Sequence, residues 1–282
     1  MKIITSPGEM QQLMLDEKKA GRTIGFVPTM GYLHEGHLSL LKRAGEENDV
    51  MVLSIFVNPL QFGPAEDLDS YPRDFERDSR LAEAEGADYL FSPAPEDMYP
   101  GGVPSVSVIV NRKTDVLCGK SRPGHFAGVA TVVSKLFHIV SPDKAYFGKK
   151  DAQQLAVIES LAHDLNFPVK IIGGETVREP DGLAKSSRNV RLLPEERKEA
   201  PVLYESLSEA ARLIAEGTKD TEQLKALIRS RIKAESSGSI DYAEILSWPE
   251  LKETDRAEGT IIIALAVKFK HARLIDNIII AV

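Results

Sequence analysis

Two spacings of apolar residues alternate along the chain. Short runs rich in β-branched residues read as strands: TIGFV (23–27), VMVLSIFV (50–57), DYLFS (88–92), AYFG (145–148) and PVKIIG (168–173). VMVLSIFV is uninterrupted, as in strands covered on both faces of a parallel sheet. SVSVIV (105–110) is expected to form a further strand. Between these runs lie stretches of helical period, over 36–45, 73–85, 126–140 and 151–165. An earlier helix starts at Ser6-Pro7-Gly8-Glu9, which has capping-box spacing and a proline at the first helical position. Met10, Leu13 and Met14 continue it, and Gly21 is a plausible stop.

Strands alternating with helices through residue 173 imply βαβ units, hence an α/β, Rossmann-like doubly wound parallel sheet. The pattern then changes. Residues 175–193 are polar, and two helices follow over 194–217 and 220–235, the first broken at Pro201. Three strands, 241–246, 260–267 and 273–281, need no crossover helix and are expected to pair antiparallel. The expected division is a first domain over 1–175 and a smaller C-terminal α+β domain over 176–282.

Composition narrows the function. With 282 residues the chain can bury a sizeable core. A net charge of −7 gives no global attraction to polyanions and argues against a nucleic-acid partner. The one cysteine, Cys118, suits a reducing compartment, so a cytoplasmic location is expected. The longest apolar runs are too short to span a bilayer, so no membrane partner is expected.

Five stretches carry candidate chemistry. In PTMGYLHEGHLSL (28–40), His34 and His37 flank Glu35 and Gly36 where a strand gives way to a helix. Amides and dipole there favour a phosphate, and imidazoles can donate to its oxygens or move a proton. A zinc site would need H-E-x-x-H, four apart, so no metal site is expected here. The alternative is a helix cap that happens to carry histidines. FVNPLQFG (56–63) places Asn58 and Gln61 just past a buried strand, where amides bind carboxylates or hydroxyls, although Asn-Pro also makes an ordinary turn. Arg122 and His125 precede a long helix in RPGHFAGVATVV (122–133), a pattern equally suited to a basic helix start. In FGKKDAQQ (147–154), Lys149 and Lys150 crowd a helix start, which is unfavourable unless an anion is present; a solvated pair is the alternative. REPDGLAKSSRN (178–189) offers serines and cations in a domain-junction loop, either a polyphosphate loop or a polar linker. A parallel sheet would bring these groups to one crevice.

These five motifs, in this order, resemble those of the pantothenate synthetases (pantoate–β-alanine ligases), within the H-x-G-H nucleotidyltransferase superfamily. The resemblance implies a ligase that joins pantoate to β-alanine through pantoyl adenylate, with ATP as substrate and Mg²⁺ carried with it. It also implies a homodimer. It assigns His34, His37 and Lys150 to catalysis, with His37 as proton donor. Met30, Gly31, Tyr32, Leu33, His34, Glu35, Gly36 and His37 would line the ATP site. Gly148, Lys149, Lys150, Asp151, Val177, Lys185, Ser186, Ser187 and Arg188 would complete it. Gln61 and Gln154 would hold pantoate, with Asn58, Arg122 and His125 around that pocket. The chain departs from the family pattern at Lys185, usually methionine, and at Lys149, often glutamate or glutamine. An adenylyltransferase of the same fold and a non-catalytic nucleotide-binding regulator are the alternative functions.

Overall fold

The computed structural model describes residues 1–64 and 66–282; residue 65 lies outside the described residues. The chain divides into two compact units. The first comprises Met1–Asn111, Arg122–Lys149 and Val157–Glu175, the second Arg112–Ser121, Lys150–Ala156 and Thr176–Val282.

The elements begin β1 (Lys2–Ile4), α1 (Pro7–Lys19), β2 (Ile24–Thr29), α2 (Glu35–Glu47), β3 (Val50–Ile55), a 3-10 turn (Pro59–Gln61), α3 (Phe75–Ala84), β4 (Tyr89–Phe91) and α4 (Pro95–Met98). They continue with α5 (Leu117–Ser121), α6 (His125–Val140), β5 (Lys144–Gly148), a second 3-10 turn (Lys149–Asp151), α7 (Ala152–Asp164) and β6 (Lys170–Gly174). In the first unit six parallel strands run in the order β1-β4-β3-β2-β5-β6. From β2 the chain steps to β3 and β4 on one side and later to β5 and β6 on the other. The switch point therefore lies between β2 and β5, paired at Gly25–Lys144 and Phe26–Ala145. Ligands of open α/β sheets collect at the carboxyl ends of such strands.

The sequence explains these elements locally. The Ser6 hydroxyl accepts the Glu9 amide at 3.3 Å with Pro7 at the first helical position, and Met10 and Met14 are buried. On α2, Leu40, Leu41 and Ala44 form the apolar stripe that packs with Val27, Leu53 and Leu90 of the sheet. Truncating a leucine such as Leu41 there costs about 2–5 kcal/mol in lost burial and cavity.

The expected strand over 105–110 pairs with no other strand among the described residues. Alternation sets an extended backbone, but a ladder also needs a partner edge. Here the Val108 amide donates to the Thr131 hydroxyl of α6 at 2.9 Å, while Val106 and Ile109 are exposed. β1 and α5 had no periodic signal, because three and five residues are too few to show one.

The second unit holds α8 (Pro194–Glu199), α9 (Val202–Ala215), α10 (Thr221–Glu235), β7 (Ser239–Ser247), β8 (Thr260–Lys268) and β9 (Arg273–Ala281). The helical run breaks at Pro201, as its sequence requires. The strands pair antiparallel in the order β7-β8-β9. One face of this sheet (Ile261, Ile263, Leu265 and Leu274) packs on α9 and α10. The other (Leu246, Ile262 and Ala264) packs on Leu117 of α5 and on Ala152 and Ala156 of α7. Burial on both faces explains why β8 is apolar from Ile261 to Val267. Cys118 Sγ lies 3.3 Å from Tyr242 Oη and 3.4 Å from Arg273 Nη1, and Arg273 in turn donates to Asp241 at 2.8 Å. Among the described residues no helix is long and apolar enough to cross a membrane.

Candidate active site

The turn after β2 is bent by two consecutive left-handed residues, Gly31 (φ +84°) and Tyr32 (φ +52°). This curls the Tyr32 and Leu33 amides inward, a nest that suits an anion. The buried Asp78 carboxylate of α3 fills it, accepting from Tyr32 N at 2.6 Å and Leu33 N at 2.8 Å. Burial raises the Asp78 pKa against the pull of these amides. The left-handed φ favours glycine at 31, and a Cβ there would also press on Asp78 Oδ2 at 3.1 Å and Ile55 Cγ2 at 3.0 Å. Arg77 donates to the Leu33 carbonyl at 2.9 Å, with its guanidinium 5.4 Å from the Tyr32 ring centre.

His34 is the N-cap of α2. Its Nδ1 accepts from the Gly36 amide at 3.2 Å, and His37 Nδ1 accepts from the His34 amide at 3.3 Å. This is a capping box with imidazoles in place of hydroxyl and carboxylate. The histidines are thus both the cap and the candidate chemistry. An amide N–H only donates, so each neutral ring carries its proton on Nε2. The ring centres lie 4.1 Å apart. The sequence had suggested a row of open amides at this helix start, but Tyr32, Leu33 and Gly36 direct theirs to protein acceptors.

The turn after β3 is fixed as tightly. Buried Asn58 caps it, with Oδ1 accepting from Leu60 N at 3.3 Å and from the Tyr99 hydroxyl at 2.9 Å. Its Nδ2 donates to Gln61 Oε1 at 3.1 Å and to the Gly128 carbonyl at 3.2 Å. Gln61 is thereby oriented with Nε2 3.1 Å from Met30 Sδ. α6 comes this close only because residue 128 is glycine: a Cβ there would overlap the Leu60 carbonyl and lie 2.7 Å from Gln61 Cα. Burial pushes the Tyr99 phenol well up, keeping it a neutral donor.

Arg122 and His125 hold the same turn from the other side. Arg122 Nη1 donates to His125 Nε2 at 3.0 Å, so the ring proton sits on Nδ1 and is donated to the Gln61 carbonyl at 2.8 Å. Arg122 also grips Glu66 with Nε at 2.7 Å and Nη2 at 2.6 Å. Burial alone would raise the Glu66 carboxyl, but the guanidinium outweighs it and holds the pKa below the usual range. In the first unit, Met30, Gln61, Asn58, His125 and Arg122 therefore form one linked network.

At the end of β5, Gly148 leads into the Lys149–Asp151 turn, and Lys149 is ion-paired with Glu175. In the second unit, Lys150 Nζ lies 3.4 Å from Asp151 Oδ2, and the Lys150 carbonyl accepts from Asn277 Nδ2 at 2.9 Å. The two glutamines differ. Buried Gln153 donates to the carbonyls of Lys113 (2.9 Å) and Val116 (2.8 Å), while Gln154 is half-buried. The 177–188 stretch begins as a hairpin, with an Arg178–Ala184 bridge and a Lys185 N to Val177 O bond of 2.9 Å. Lys185 pairs with Glu179 at 2.9 Å, the Ser186 hydroxyl accepts from Arg188 N at 3.2 Å, and Ser187 is buried. Both lysines that depart from the family pattern thus have a nearby carboxylate. Sequence reasoning missed Asp78, Tyr99 and Glu66, since nothing in a charged helix or a polar loop sets them apart from their neighbours. Among the described residues no cluster of three or more His, Cys, Asp or Glu could hold a metal ion.

A family model for pantoate-β-alanine ligase matches residues 2–279. The chain is 56% identical to the pantothenate synthetase of Geobacillus thermodenitrificans over 279 residues, covering 99% of this chain and 96% of the relative. It is 56% identical to that of Bacillus cereus (strain ZK / E33L), with both chains fully covered. Among solved structures it is similar to pantothenate synthetase from Thermus thermophilus (TM-score 0.93, 45% identity, 99% of each chain). It is also similar to pantoate-β-alanine ligase from Francisella tularensis, complexed with β-γ ATP and β-alanine (TM-score 0.81, 35% identity, 99% of this chain and 97% of the other). The doubly wound sheet, the H-x-G-H cap and the match along nearly the whole chain agree, and the chain belongs to the pantoate–β-alanine ligase family.

Proposed function

We propose that the chain condenses (R)-pantoate with β-alanine at the expense of ATP, giving pantothenate, AMP and pyrophosphate through pantoyl adenylate. The histidine pair carries this reading: two Nε2–H donors, fixed by one helix cap at the end of β2, suit the oxygens of a polyphosphate. In the first step a pantoate carboxylate oxygen attacks the α-phosphorus and pyrophosphate leaves, with no proton transferred. A neutral imidazole whose single proton is on Nε2 donates a hydrogen bond without giving up that proton, so His34 and His37 act as donors to phosphate oxygens. In this reading His37 is a hydrogen-bond donor and not an acid.

Lys150 neutralises charge on the α-phosphate, and Lys185–Arg188 hold the terminal phosphates. Met30–His37 and Gly148–Asp151 line the ATP site, with the Val177 backbone against adenine. Gln61 and Gln154 bind pantoate, and Gln61 also lies beside β-alanine. Asn58, Arg122 and His125 act through Gln61, since Asn58 donates to its side chain and Arg122 and His125 donate to its carbonyl. Mg²⁺ arrives with ATP as part of the substrate and keeps several waters. In the second step the β-alanine ammonium loses one proton to solvent, the neutral amine attacks the acyl carbon, the C–O bond to AMP breaks, and the nitrogen releases its second proton to solvent as the amide forms. Residues 1–175 serve as the nucleotide and pantoate domain and 176–282 as a lid that excludes water.

The functional unit is a cytoplasmic homodimer. Val103, Val106 and Ile109 of the first unit, three exposed large apolar side chains within seven residues of sequence, support self-association.

Labelled pyrophosphate tests this function. With pantoate, ATP and Mg²⁺ but no β-alanine, label should exchange into ATP. ATP binding without exchange would favour a regulator. Exchange that needs a nucleotide in place of pantoate would favour an adenylyltransferase.

A further inference from the structure

β9 carries two adjacent buried polar residues, Asp276 and Asn277, in a strand otherwise dominated by apolar side chains. Neighbouring side chains on a strand point to opposite faces. Asp276 falls in register with Leu274 on the face packed against α9 and α10, and Asn277 with Ile279 on the face packed against α5 and α7.

Each reaches a different candidate phosphate element of the second unit. Asp276 receives Arg178 bidentately, at 2.6 and 3.0 Å, and accepts the Asn277 amide at 2.8 Å. Arg178 also donates to the Gly182 carbonyl at 3.1 Å, and its guanidinium lies 3.6 Å from the Tyr204 ring centre. Arg178 belongs to the hairpin that leads into Lys185–Arg188, and its planar group is thus held by its edge and by its face. Asn277 Nδ2 donates to the Lys150 carbonyl at 2.9 Å, where the turn passes into α7. The two elements lie far apart in sequence and meet different faces of the sheet, yet consecutive residues of one strand anchor both.

We propose that Asp276 and Asn277 are positioning residues that jointly set the Lys150 turn and the 177–188 hairpin for ATP phosphates, without touching substrate. The inference rests on the ATP-site reading above. Replacing a positioning group lets the phosphate ligands drift, which weakens the ATP step and leaves pantoate binding alone.

The test uses the full chain and the substitutions Asn277→Ala, Asn277→Leu (packing kept, donor lost) and Asp276→Asn. Steady-state and pyrophosphate-exchange rates are measured against ATP and pantoate separately, alongside thermal melting. Asp276→Asn leaves the half-buried Arg178 guanidinium without its carboxylate and can fail to fold, so the Asn277 variants decide. The expected result is an ATP KM raised about tenfold in folded Asn277 variants with an unchanged pantoate KM, as misplacement at a distance from the chemistry produces. Wild-type ATP KM and kcat in folded Asn277 variants would overturn the proposal. So would equal rises in both KM values with a lowered melting temperature, which would mark general loosening. If the wild-type chain itself shows no pantoate-dependent exchange, the ligase reading falls separately. ATP titration of the same variants then decides, with weakened binding supporting the positioning role and unchanged binding overturning it.

Discussion

The histidine turn after β2 and the hairpin around 177–188 both present donors suited to phosphate, but they are held by different means. The histidines fix one another within four residues, and Asp78 locks the bend before them. The hairpin instead depends on Arg178 reaching Asp276, 98 positions away, on the edge strand of the second sheet. Local capping fixes the two imidazoles relative to one another, and only the bend before them needs a distant residue, Asp78. The hairpin's guanidinium is fixed from the last strand of its unit.

Four substitutions can break or sharpen this contrast, taken from the largest effect to the smallest. His37→Ala should lower the pyrophosphate-exchange rate by at least about 10²-fold, the usual loss for a preorganised donor. A folded variant with near-wild-type exchange would remove His37 from the mechanism. Asp78→Ala leaves the Tyr32 and Leu33 amides unsatisfied, and urea unfolding should show a loss of about 2–3 kcal/mol. A loss under about 0.5 kcal/mol would mean that the turn holds itself. Gly128→Ala forces α6 away from the Leu60 carbonyl and should cost about 1–3 kcal/mol while raising the pantoate KM. An unchanged KM would separate this packing from the Gln61 pocket.

The smallest effect concerns pH. Arg43 above all, with Lys144 and Tyr146, holds the Glu47 carboxyl down to about 2 from an ordinary value of 4.5. Its folded pKa lies below its unfolded one, so the stabilisation is fully present above about pH 4.5 and is lost as pH falls toward 2. Melting curves should therefore show wild type above Glu47→Gln at neutral pH, the two converging in acid. Parallel curves at every pH would assign the effect to packing.

The alternation of strands and helices, the change of pattern near residue 175 and the break at Pro201 could all be read from periodicity and proline chemistry. So could the histidine turn, because cap and motif fall within one short window. The 105–110 stretch shows the limit: alternation fixes an extended backbone, but pairing depends on whether a partner edge is present. Asp78, Tyr99 and Asp276 were invisible for a related reason. Each acts on a backbone group or side chain distant in sequence, and a lone carboxylate or phenol carries no local sign of its partner. The two Gln residues of FGKKDAQQ show the same limit at single-residue scale, since adjacent identical side chains differ only in what the fold places before them.

Cys118 has a practical consequence. It is the chain's one thiol, and it lies buried between Tyr242 and Arg273, on a segment that joins the second unit although the first unit resumes at Arg122. A thiol reagent can reach it only when that segment lifts from the sheet. Its labelling rate is therefore a chemical clock for local opening of the second unit, readable without any engineered probe.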